Sequence, residues 1–365
     1  MYIKPINNKN NNYTFKKMYK SLNVFNNKSG PSSDIPLSPE HGGPILCMDN
    51  NKDIVVTGST DHGLRVYNLS NGQQTKELYN KKYGHTEWVT SVQILPNKKI
   101  VSGGMDSNIC LWDASGVRCQ YIKDFTGSVS KIVADESGVY LASSYDSSVR
   151  IYDQNSTSCL GCLCGTHKGP VTELAWKSSL CVSGGRDGLV ALWDINSEKC
   201  VLSQKWHMGQ IANIKLHSDS NNTNLIITTG INDGIINVVD MRNNKKVFSQ
   251  QLHRAAINYV GTNDSNLLIT GSADKTIKIF DMLGGFKQIG ELKSADAVFC
   301  GDIYDNFLAV GCGDGNLLAY NLDTMECLYG YGCEEKGGIK IVKILPEKKR
   351  ILTAGDSGKG LELVF

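Results

Sequence analysis

Apolar and polar residues alternate over short segments of this chain, and glycine-rich turns separate the segments. The clearest example is Ile100–Asp113, where an apolar pair is followed by Ser-Gly-Gly, a polar Met-Asp-Ser turn and a second apolar run. Ile109, Leu111 and Trp112 lie in that second run, which has the β-branched and aromatic residues that strands favour. The pattern therefore predicts a strand, a tight turn and a second strand.

This hairpin pattern occurs eight times. Its most regular mark is an aspartate in the turn, and consecutive turn aspartates lie about 40 to 46 residues apart. The eight aspartates are Asp61, Asp106, Asp146, Asp187, Asp233, Asp274, Asp314 and Asp356. A unit of this size buries its faces only against its neighbours, so the repeat predicts one array of stacked units rather than several independent domains.

Two further positions recur with the turn aspartate. Seven repeats end their second strand in a large apolar residue followed by Asp or Asn: Tyr67, Trp112, Tyr152, Trp193, Val239, Phe280 and Tyr320. Five repeats carry a histidine upstream, before a short strand: His41, His85, His167, His207 and His253. With these marks the chain resembles the WD40-repeat β-propellers over residues 31–365.

The resemblance implies an all-β fold, a single WD-repeat β-propeller of eight four-stranded blades, with seven blades as the alternative. The last repeat stops after its third strand, so we expect the N-terminal residues 31–40 to close the ring as its fourth strand. Thr14–Phe25 is the competing candidate for this strand. Residues 1–30, rich in Asn and Lys, are predicted to form a flexible N-terminal tail, and residues 31–365 the propeller.

Composition excludes several classes of function. The formal net charge is +2 and 20% of residues are charged, so no nucleic-acid partner is expected. No apolar run reaches the roughly 18 residues that a spanning helix needs, which predicts no membrane insertion. The N-terminus lacks the apolar core of a secretory signal. We therefore expect an intracellular protein of the cytoplasm, the nucleus or both.

The twelve cysteines are scattered through the repeats, as suits reduced thiols that pack as small apolar side chains. One cluster departs from this distribution: Cys159, Cys162 and Cys164 precede His167. Thiolates and imidazole are zinc ligands, so a zinc site is an alternative interpretation. Because His167 is also the repeat histidine, the prediction is that the chain holds no metal and no cofactor.

In the WD-repeat family the histidine, a Ser or Thr of the second strand, the turn aspartate and the strand-end Trp form a hydrogen-bonded set. Carried onto this chain, the resemblance implies two such structural networks, formed by His85, Ser102, Asp106 and Trp112 in the second repeat and by His167, Ser183, Asp187 and Trp193 in the fourth. Ser, His and Asp also form catalytic triads. A catalytic site needs one tuned constellation, whereas this set recurs in approximate copies, so we predict no enzymatic activity.

Function on a propeller is expected in the loops of its faces. In this family the residue before each turn aspartate and the residues that begin each inner strand lie at one rim of the disc. The partner-binding residues that this implies are Trp88, Thr90, Met105, Tyr145, Arg186, Asn258 and Lys340. Trp, Tyr, Met and Arg are enriched at the centres of protein interfaces, although rim packing alone would also explain Trp88 and Tyr145.

The leading hypothesis is a non-catalytic scaffold or adaptor that presents a rigid propeller face to proteins or peptide segments in a heteromeric complex. The alternative is a substrate receptor of a cullin–RING ubiquitin ligase. The segment that contains Asp240 and Arg242 resembles the docking signature of such receptors. Asp240 and Arg242 match the end of this signature, whereas Val239 replaces its aromatic residue.

Overall fold

The protein is described by a computed structural model that covers residues 24–79, 82–113, 118–218, 224–334 and 336–365. Over these ranges the chain forms eight four-stranded sheets, and every neighbouring pair of strands is antiparallel. Helical structure within them is limited to two 3₁₀ turns, Val24–Asn26 and Pro346–Lys348. The prediction of eight blades is confirmed, and the seven-blade alternative is wrong.

The strands are numbered in chain order, and blades 1 to 4 each contain four consecutive strands. Blade 1 contains β2 Ile45–Asn50, β3 Ile54–Ser59, β4 Leu64–Asn68 and β5 Gln74–Glu77. Blade 2 contains β6 Val89–Ile94, β7 Ile100–Gly104, β8 Ile109–Trp112 and β9 Cys119–Ile122. Blade 3 contains β10 Val129–Ala134, β11 Val139–Ser144, β12 Val149–Asp153 and β13 Gly161–Leu163. Blade 4 contains β14 Val171–Lys177, β15 Leu180–Gly185, β16 Leu189–Asp194 and β17 Lys199–Lys205.

Blades 5 to 7 follow the same order, and blade 8 takes one strand from the N-terminal segment. Blade 5 contains β18 Ile211–Ser218, β19 Asn224–Gly230, β20 Ile235–Asp240 and β21 Lys245–Gln251. Blade 6 contains β22 Ile257–Thr262, β23 Leu267–Ser272, β24 Thr276–Asp281 and β25 Lys287–Lys293. Blade 7 contains β26 Val298–Tyr304, β27 Phe307–Cys312, β28 Asn316–Asn321 and β29 Glu326–Gly332. Blade 8 contains β30 Ile339–Leu345, β31 Arg350–Gly355, β32 Gly360–Val364 and β1 Ser33–Pro36.

The core of the protein lies between the blades. Eight clusters of buried apolar side chains fill the eight spaces between neighbouring blades. Trp112, which is fully buried, packs between blades 1 and 2, whereas Ile109 of the same strand packs between blades 2 and 3. Strands buried on both faces need apolar residues on both sides, which explains why the hairpin pattern alternates only partly.

Hydrogen bonds join the innermost strands, which contact one another around the ring. Each innermost strand has a register shift after its first residue. In four blades the second residue of the innermost strand donates a side-chain hydrogen bond to a carbonyl at the start of the following blade. These donors are Thr90, Ser130, Thr172 and Asn258. In three other blades the donor is one residue later: Cys47, Asn213 and Cys300. These seven contacts are called the seam bonds below.

The ring closes through the N-terminal segment. β1 pairs antiparallel with β32, with Ser33 opposite Val364 and Pro36 opposite Leu361. Backbone hydrogen bonds extend this pairing beyond both ends of β1, to Ser32 and Leu37. The prediction that the N-terminal segment supplies the fourth strand of blade 8 is confirmed. A proline is tolerated here because β1 is an outermost strand.

The segment before β1 also contacts the propeller. Phe25, which lies in the 3₁₀ turn Val24–Asn26, is 1% exposed and packs between blades 7 and 8 against Phe307 and Phe365, with ring centroids 5.3 and 5.0 Å away. The packed part of the chain therefore includes residues before position 31, the predicted boundary. Residues 1–23 of the predicted tail, which include most of the alternative strand Thr14–Phe25, lie outside the described residues.

Across the described ranges, every helical turn is too short and insufficiently apolar to cross a bilayer.

We predict that ring closure depends on the segment 24–37. Deleting residues 1–37 removes β1 and the buried ring of Phe25, whose loss alone is worth about 3–5 kcal/mol by analogy with other large-to-small core changes. The free energy of unfolding should fall by at least that amount in a denaturant titration. Deleting residues 1–23, which removes no described residue, serves as the control and should leave it unchanged. Equal unfolding midpoints for the two deletions would contradict this role.

Candidate interaction face

One face of the disc is built by the turns between the second and third strands of the blades. The backbone N–H of Met105 donates to the carbonyl of Trp88 (2.8 Å), and that of Tyr145 donates to the carbonyl of Ser128 (2.9 Å). Corresponding bonds occur in all eight blades and tie each turn to the start of the inner strand. We call this side the upper face, and the side with the loops between the first and second strands the lower face.

Three large apolar side chains project from the upper face of blades 2 and 3. Trp88 is 45% exposed, Met105 37% and Tyr145 41%. Their backbones are linked, because the Ser128 hydroxyl donates to the Met105 carbonyl (3.0 Å) and joins the two blades. Trp88, Met105 and Tyr145, termed the aromatic rim, are thus surface residues held on hydrogen-bonded turns.

The exposed apolar surface extends further round the ring than the sequence indicated. Arg186, which is exposed, occupies the same turn position in blade 4. Met208 is 83% exposed and Ile231 36% exposed at the upper edge of blade 5. Ile231, rather than Asn232, has the equivalent backbone bond, because this turn contains one extra residue. Met208 directly follows the repeat histidine, where Gly, Thr, Lys or Arg stands in other repeats, and this contrast was available in the sequence.

The remaining predicted binding residues lie nearer the central channel. Thr90 and Asn258 are half-buried, and their side chains form seam bonds of 2.5 and 2.8 Å. Lys340 is exposed, with its ammonium 3.5 Å from Asp356 and 4.0 Å from the centroid of the Phe299 ring. Asn258 and Lys340, together with Phe299, line a hollow of about 360 Å³ at the channel mouth. Thr90 and Asn258 therefore have structural contacts as well as a position near the mouth.

Beneath the upper face, blade 2 contains a chain of buried hydrogen bonds. The indole N–H of Trp112 donates to the Ser102 hydroxyl (2.9 Å), which lies 2.8 Å from Nε2 of His85. Nδ1 of His85 lies 3.0 Å from the Asp106 carboxylate, so the proton on Nδ1 faces Asp106. Burial alone would raise the pKa of Asp106, but the hydrogen bond and charge of His85 and the backbone N–H groups of Thr86 and Asn108 together lower it.

Blade 4 repeats the arrangement with one longer contact. Trp193 donates to the Ser183 hydroxyl, which is 2.8 Å from Nε2 of His167. Nδ1 of His167 is 3.5 Å from Asp187 and is buried without a hydrogen-bond partner among the described atoms. Burial lowers the pKa of His167, and Asp187 only partly opposes this effect.

Comparison with known proteins identifies these blades. The family model "WD domain, G-beta repeat" matches residues 75–113, 119–153, 157–194 and 244–281, which include most of blades 2, 3, 4 and 6. The chain belongs to the WD-repeat β-propellers. The other four blades have the same four-stranded antiparallel form.

Relatives in this family share only part of their length with the chain. It is 27% identical over 188 residues to mitochondrial division protein 1 of Kluyveromyces lactis, covering 51% of this chain and 22% of the relative. It is 23% identical over 255 residues to autophagy-related protein 16 of Arabidopsis thaliana, covering 67% and 48%. The chain thus spans less than half the length of either relative.

Among solved structures, the computationally designed Ika8 protein superposes on this WD-repeat propeller with a TM-score of 0.79. The superposition covers 91% of this chain and 99% of the designed protein at 20% sequence identity. At this identity the likeness shows the fold alone.

Other WD-repeat blades depart from the hydrogen-bonded set. Phe125, which is 6% exposed, takes the histidine position of blade 3, and Ser294 takes that of blade 7. In blade 8 the turn position falls on Ser357, whose hydroxyl accepts a bond from the N–H of Lys359. Asp356, expected there from the spacing, is displaced by one residue and pairs with Lys340. The spacing could not show this shift, because Asp356 and Ser357 both follow Asp314 at a distance within the range of the other repeats, about 40 to 46 residues.

The side chains of the cysteine cluster on blade 3 are not gathered with His167 into one set of ligands. Cys159 and Cys164 are exposed and Cys162 is partly buried, while His167 is directed toward Ser183 in the core. The described residues contain no group of three or more His, Cys, Asp or Glu side chains that could hold a metal ion.

The two predicted ligase-docking residues form a local pair. Asp240, at the end of β20, is 5% exposed and accepts two close hydrogen bonds from the Arg242 guanidinium, 3.0 Å from Nε and 2.7 Å from Nη2. The hydrogen bond from Arg242 lowers the pKa of Asp240.

We predict that the turn aspartates differ in their contribution to stability. Replacing Asp106 with Ala leaves Nδ1 of the buried His85 without its acceptor, which should cost about 1–3 kcal/mol of unfolding free energy. Trp112 should be unaffected, since it is bonded to Ser102. Asp314→Ala is the matched change in blade 7, where the carboxylate is exposed and accepts bonds only from Asn316 among the described residues, and should cost less. Equal losses in denaturant titrations would contradict the difference.

We also predict a pH dependence from the buried histidines. Burial lowers the pKa of His167, His207 and His253, so the folded protein binds protons on them less readily than the unfolded chain, whose histidines titrate near 6.5. Their contribution is therefore fully present above about pH 6.5 and is lost as pH falls through the folded pKa values. The urea midpoint should be lower at pH 5.5 than at pH 7.5, and His253→Gln should reduce the difference. Equal urea midpoints at the two pH values would show that these histidines do not make the stability depend on pH.

Proposed function

We propose that this WD-repeat protein is a non-catalytic scaffold that holds partner proteins on its upper face. The observation that carries the proposal is the aromatic rim, where Trp88, Met105 and Tyr145 remain substantially exposed on rigid turns. Exposed large apolar residues that adjoin one another on a folded surface commonly mark interaction sites. The rim is supported by Arg186, a residue type frequent among the residues that dominate binding energy.

Rigidity favours the rim as a recognition surface. Met105 and Tyr145 are fixed through backbone bonds to Trp88 and Ser128, and Ser128 is bonded across the blade boundary. A surface that is ordered before binding loses little conformational entropy when a partner docks. Partner side chains would meet the rim first, with the hollow near Asn258, Phe299 and Lys340 available to a segment that reaches the channel mouth.

The Ser, His and Asp sets do not support catalysis. Ser102 and Ser183 are 0% exposed, so neither hydroxyl can reach a substrate from the surface. In blade 2, moreover, the serine oxygen already accepts the Trp112 indole N–H. These groups satisfy one another inside a blade, as buried polar groups generally must.

The partner is proposed by class only. Its chemistry should include an apolar or aromatic centre that covers the rim and an acceptor for Arg186. The two relatives described above are named for mitochondrial division and for autophagy, which are different processes. We therefore transfer neither process, and propose a subunit of a heteromeric intracellular complex.

The cullin–RING alternative is not favoured. Its proposed docking residues are Asp240 and Arg242, yet Asp240 is almost fully buried and the Arg242 guanidinium is bonded to it. This pairing accounts for both residues within blade 5, so they do not require a partner protein.

The rim is tested by the triple substitution Trp88→Ala, Tyr145→Ala and Arg186→Ala. Each central anchor is expected to contribute about 2 kcal/mol or more to binding, a factor of about thirty in affinity. Affinity purification from cells followed by mass spectrometry should recover partners with the unaltered protein and lose them with the variant. Thermal unfolding should change little, because the side chains are exposed.

The control replaces three exposed apolar residues elsewhere, Val201, Val247 and Leu283, with Ala. It should keep every partner. Loss of the fold in the rim variant would show that these residues are structural, and recovery of all partners by a folded rim variant would place the interaction elsewhere.

A further inference from the structure

Three thiols lie close together at the outer edge of blade 3. Cys159 and Cys164 are exposed and Cys162 is partly buried. Cys162, in β13, and Cys164, directly after it, lie on the same side of this outermost strand, because side chains alternate along a strand and the intervening Leu163 packs in the core. The Cys159 thiol is directed elsewhere, 3.1 Å from the Gly161 carbonyl. Cys162 and Cys164 are therefore the pair that the strand places side by side.

The two thiols of this pair interact with each other and with a cation. Burial raises the pKa of Cys162 to about 11, the adjacent Cys164 adds to this effect, and Arg150 opposes it. Arg150 lies directly opposite Cys162 on β12. An exposed thiol next to a second, more protected thiol is the usual arrangement of an oxidisable cysteine and the cysteine that resolves it.

The connection that follows Cys164 has room to move. Cα atoms two residues apart on an extended strand are about 7 Å apart, and a disulfide needs a slightly shorter separation. Gly165 has a φ of +81° and no atom within 4 Å of the position that a Cβ would take. Nδ1 of His167 is 3.5 Å from Asp187, whereas this distance is 2.9–3.0 Å in the four other repeats that carry the histidine. The backbone of Cys164 can thus shift toward Cys162 without disturbing a tightly held segment.

We propose that Cys162 and Cys164 form a site of reversible oxidation, at which hydrogen peroxide joins the two sulfurs in a disulfide. Sγ of Cys164 attacks one peroxide oxygen, the O–O bond breaks, and the other oxygen leaves as water, so that Cys164 becomes a sulfenic acid. Sγ of Cys162 then attacks the Cys164 sulfur, and the hydroxyl group leaves with a proton as a second water. Two thiols are oxidised by the loss of two hydrogen atoms, and one peroxide is reduced to two waters. The proposal does not rest on the function assigned to the upper face.

A second pair of thiols provides a comparison within the same chain. Cys110 and Cys119, on neighbouring strands of blade 2, also interact with each other. Cys110 is 0% exposed and Cys119 7% exposed, and both pack in the apolar cluster between blades 1 and 2. Oxidation at sulfur requires access of the oxidant as well as a neighbouring thiol. The pair on blade 3 should therefore react and the pair on blade 2 should not.

The test treats the reduced full chain with hydrogen peroxide, blocks the remaining thiols with N-ethylmaleimide under denaturing conditions and analyses tryptic peptides by mass spectrometry. The peptide of residues 151–168 contains all three thiols of the blade 3 segment. In the unaltered protein it should lose two hydrogen atoms and carry one blocked thiol, that of Cys159. Dithiothreitol added before blocking should restore three blocked thiols, because thiol exchange reduces a disulfide. Cys110 and Cys119 should be oxidised at least about tenfold more slowly.

Serine variants identify the pair. Cys162→Ser and Cys164→Ser should each abolish the disulfide, whereas Cys159→Ser should form it as the unaltered protein does. Cys164→Ser changes an exposed side chain, so it gives a clear result even if a change at Cys162 disturbs β13. Four results would overturn the proposal: oxidation of Cys164 to a sulfinic acid without a disulfide, a disulfide that survives in Cys164→Ser, loss of the disulfide in Cys159→Ser, or equally fast oxidation of the buried pair.

Discussion

The pairing of β1 with β32 is the interaction on which the rest of the structure depends. Every blade buries its apolar residues against two neighbours, so a propeller has no stable open end. Seven of the eight seams are joined by a seam bond and a continuous stretch of chain. The ring itself closes inside blade 8, where the two terminal segments β1 and β32 are joined by noncovalent contacts. The eighth seam, between blades 8 and 1, is crossed by the chain that runs from β1 to β2.

Charged groups contribute to this last seam. Lys343 of blade 8 pairs with Asp49 of blade 1, whose other carboxylate oxygen accepts the backbone N–H of Ile94 in blade 2. Arg350 contacts both the Leu69 carbonyl of blade 1 and Glu362 of its own blade. Burial raises the pKa of Glu362, against the opposing effect of Arg350. Polar side chains thus link blades 8, 1 and 2 in addition to the covalent chain that runs through them.

Much of the fold was predictable from the sequence because its signal is a repeat. Turn aspartates at a fixed period gave the number of blades, and the missing strand of the last repeat required the segment that became β1. The sequence could not place Phe25 in the core, since a single apolar residue in a polar segment has no periodicity. It also could not show the one-residue shifts that bring Ile231 and Asp356 to the rim positions of blades 5 and 8.

The candidate sites were less predictable for a physical reason. A propeller face combines side chains from loops about 40 residues apart, and the exposure of each depends on neighbours that the local sequence does not contain. The exposure of Trp88 and Tyr145 agrees with the rim position inferred for them, but the seam bonds of Thr90 and Asn258 appear only when the next blade is in place.

Amide hydrogen exchange of β1 tests ring closure most directly. The backbone N–H groups of residues 32–35 and 37 should exchange as slowly as those of Gln74–Glu77 in β5, which has the same outermost position in blade 1. Mass spectrometry of peptides that cover the two strands gives both rates in one experiment on the unaltered protein. Slow and equal exchange is the result that a closed ring predicts. Exchange of residues 32–37 at the rate of an unfolded peptide, with β5 still protected, would contradict closure by the N-terminal strand.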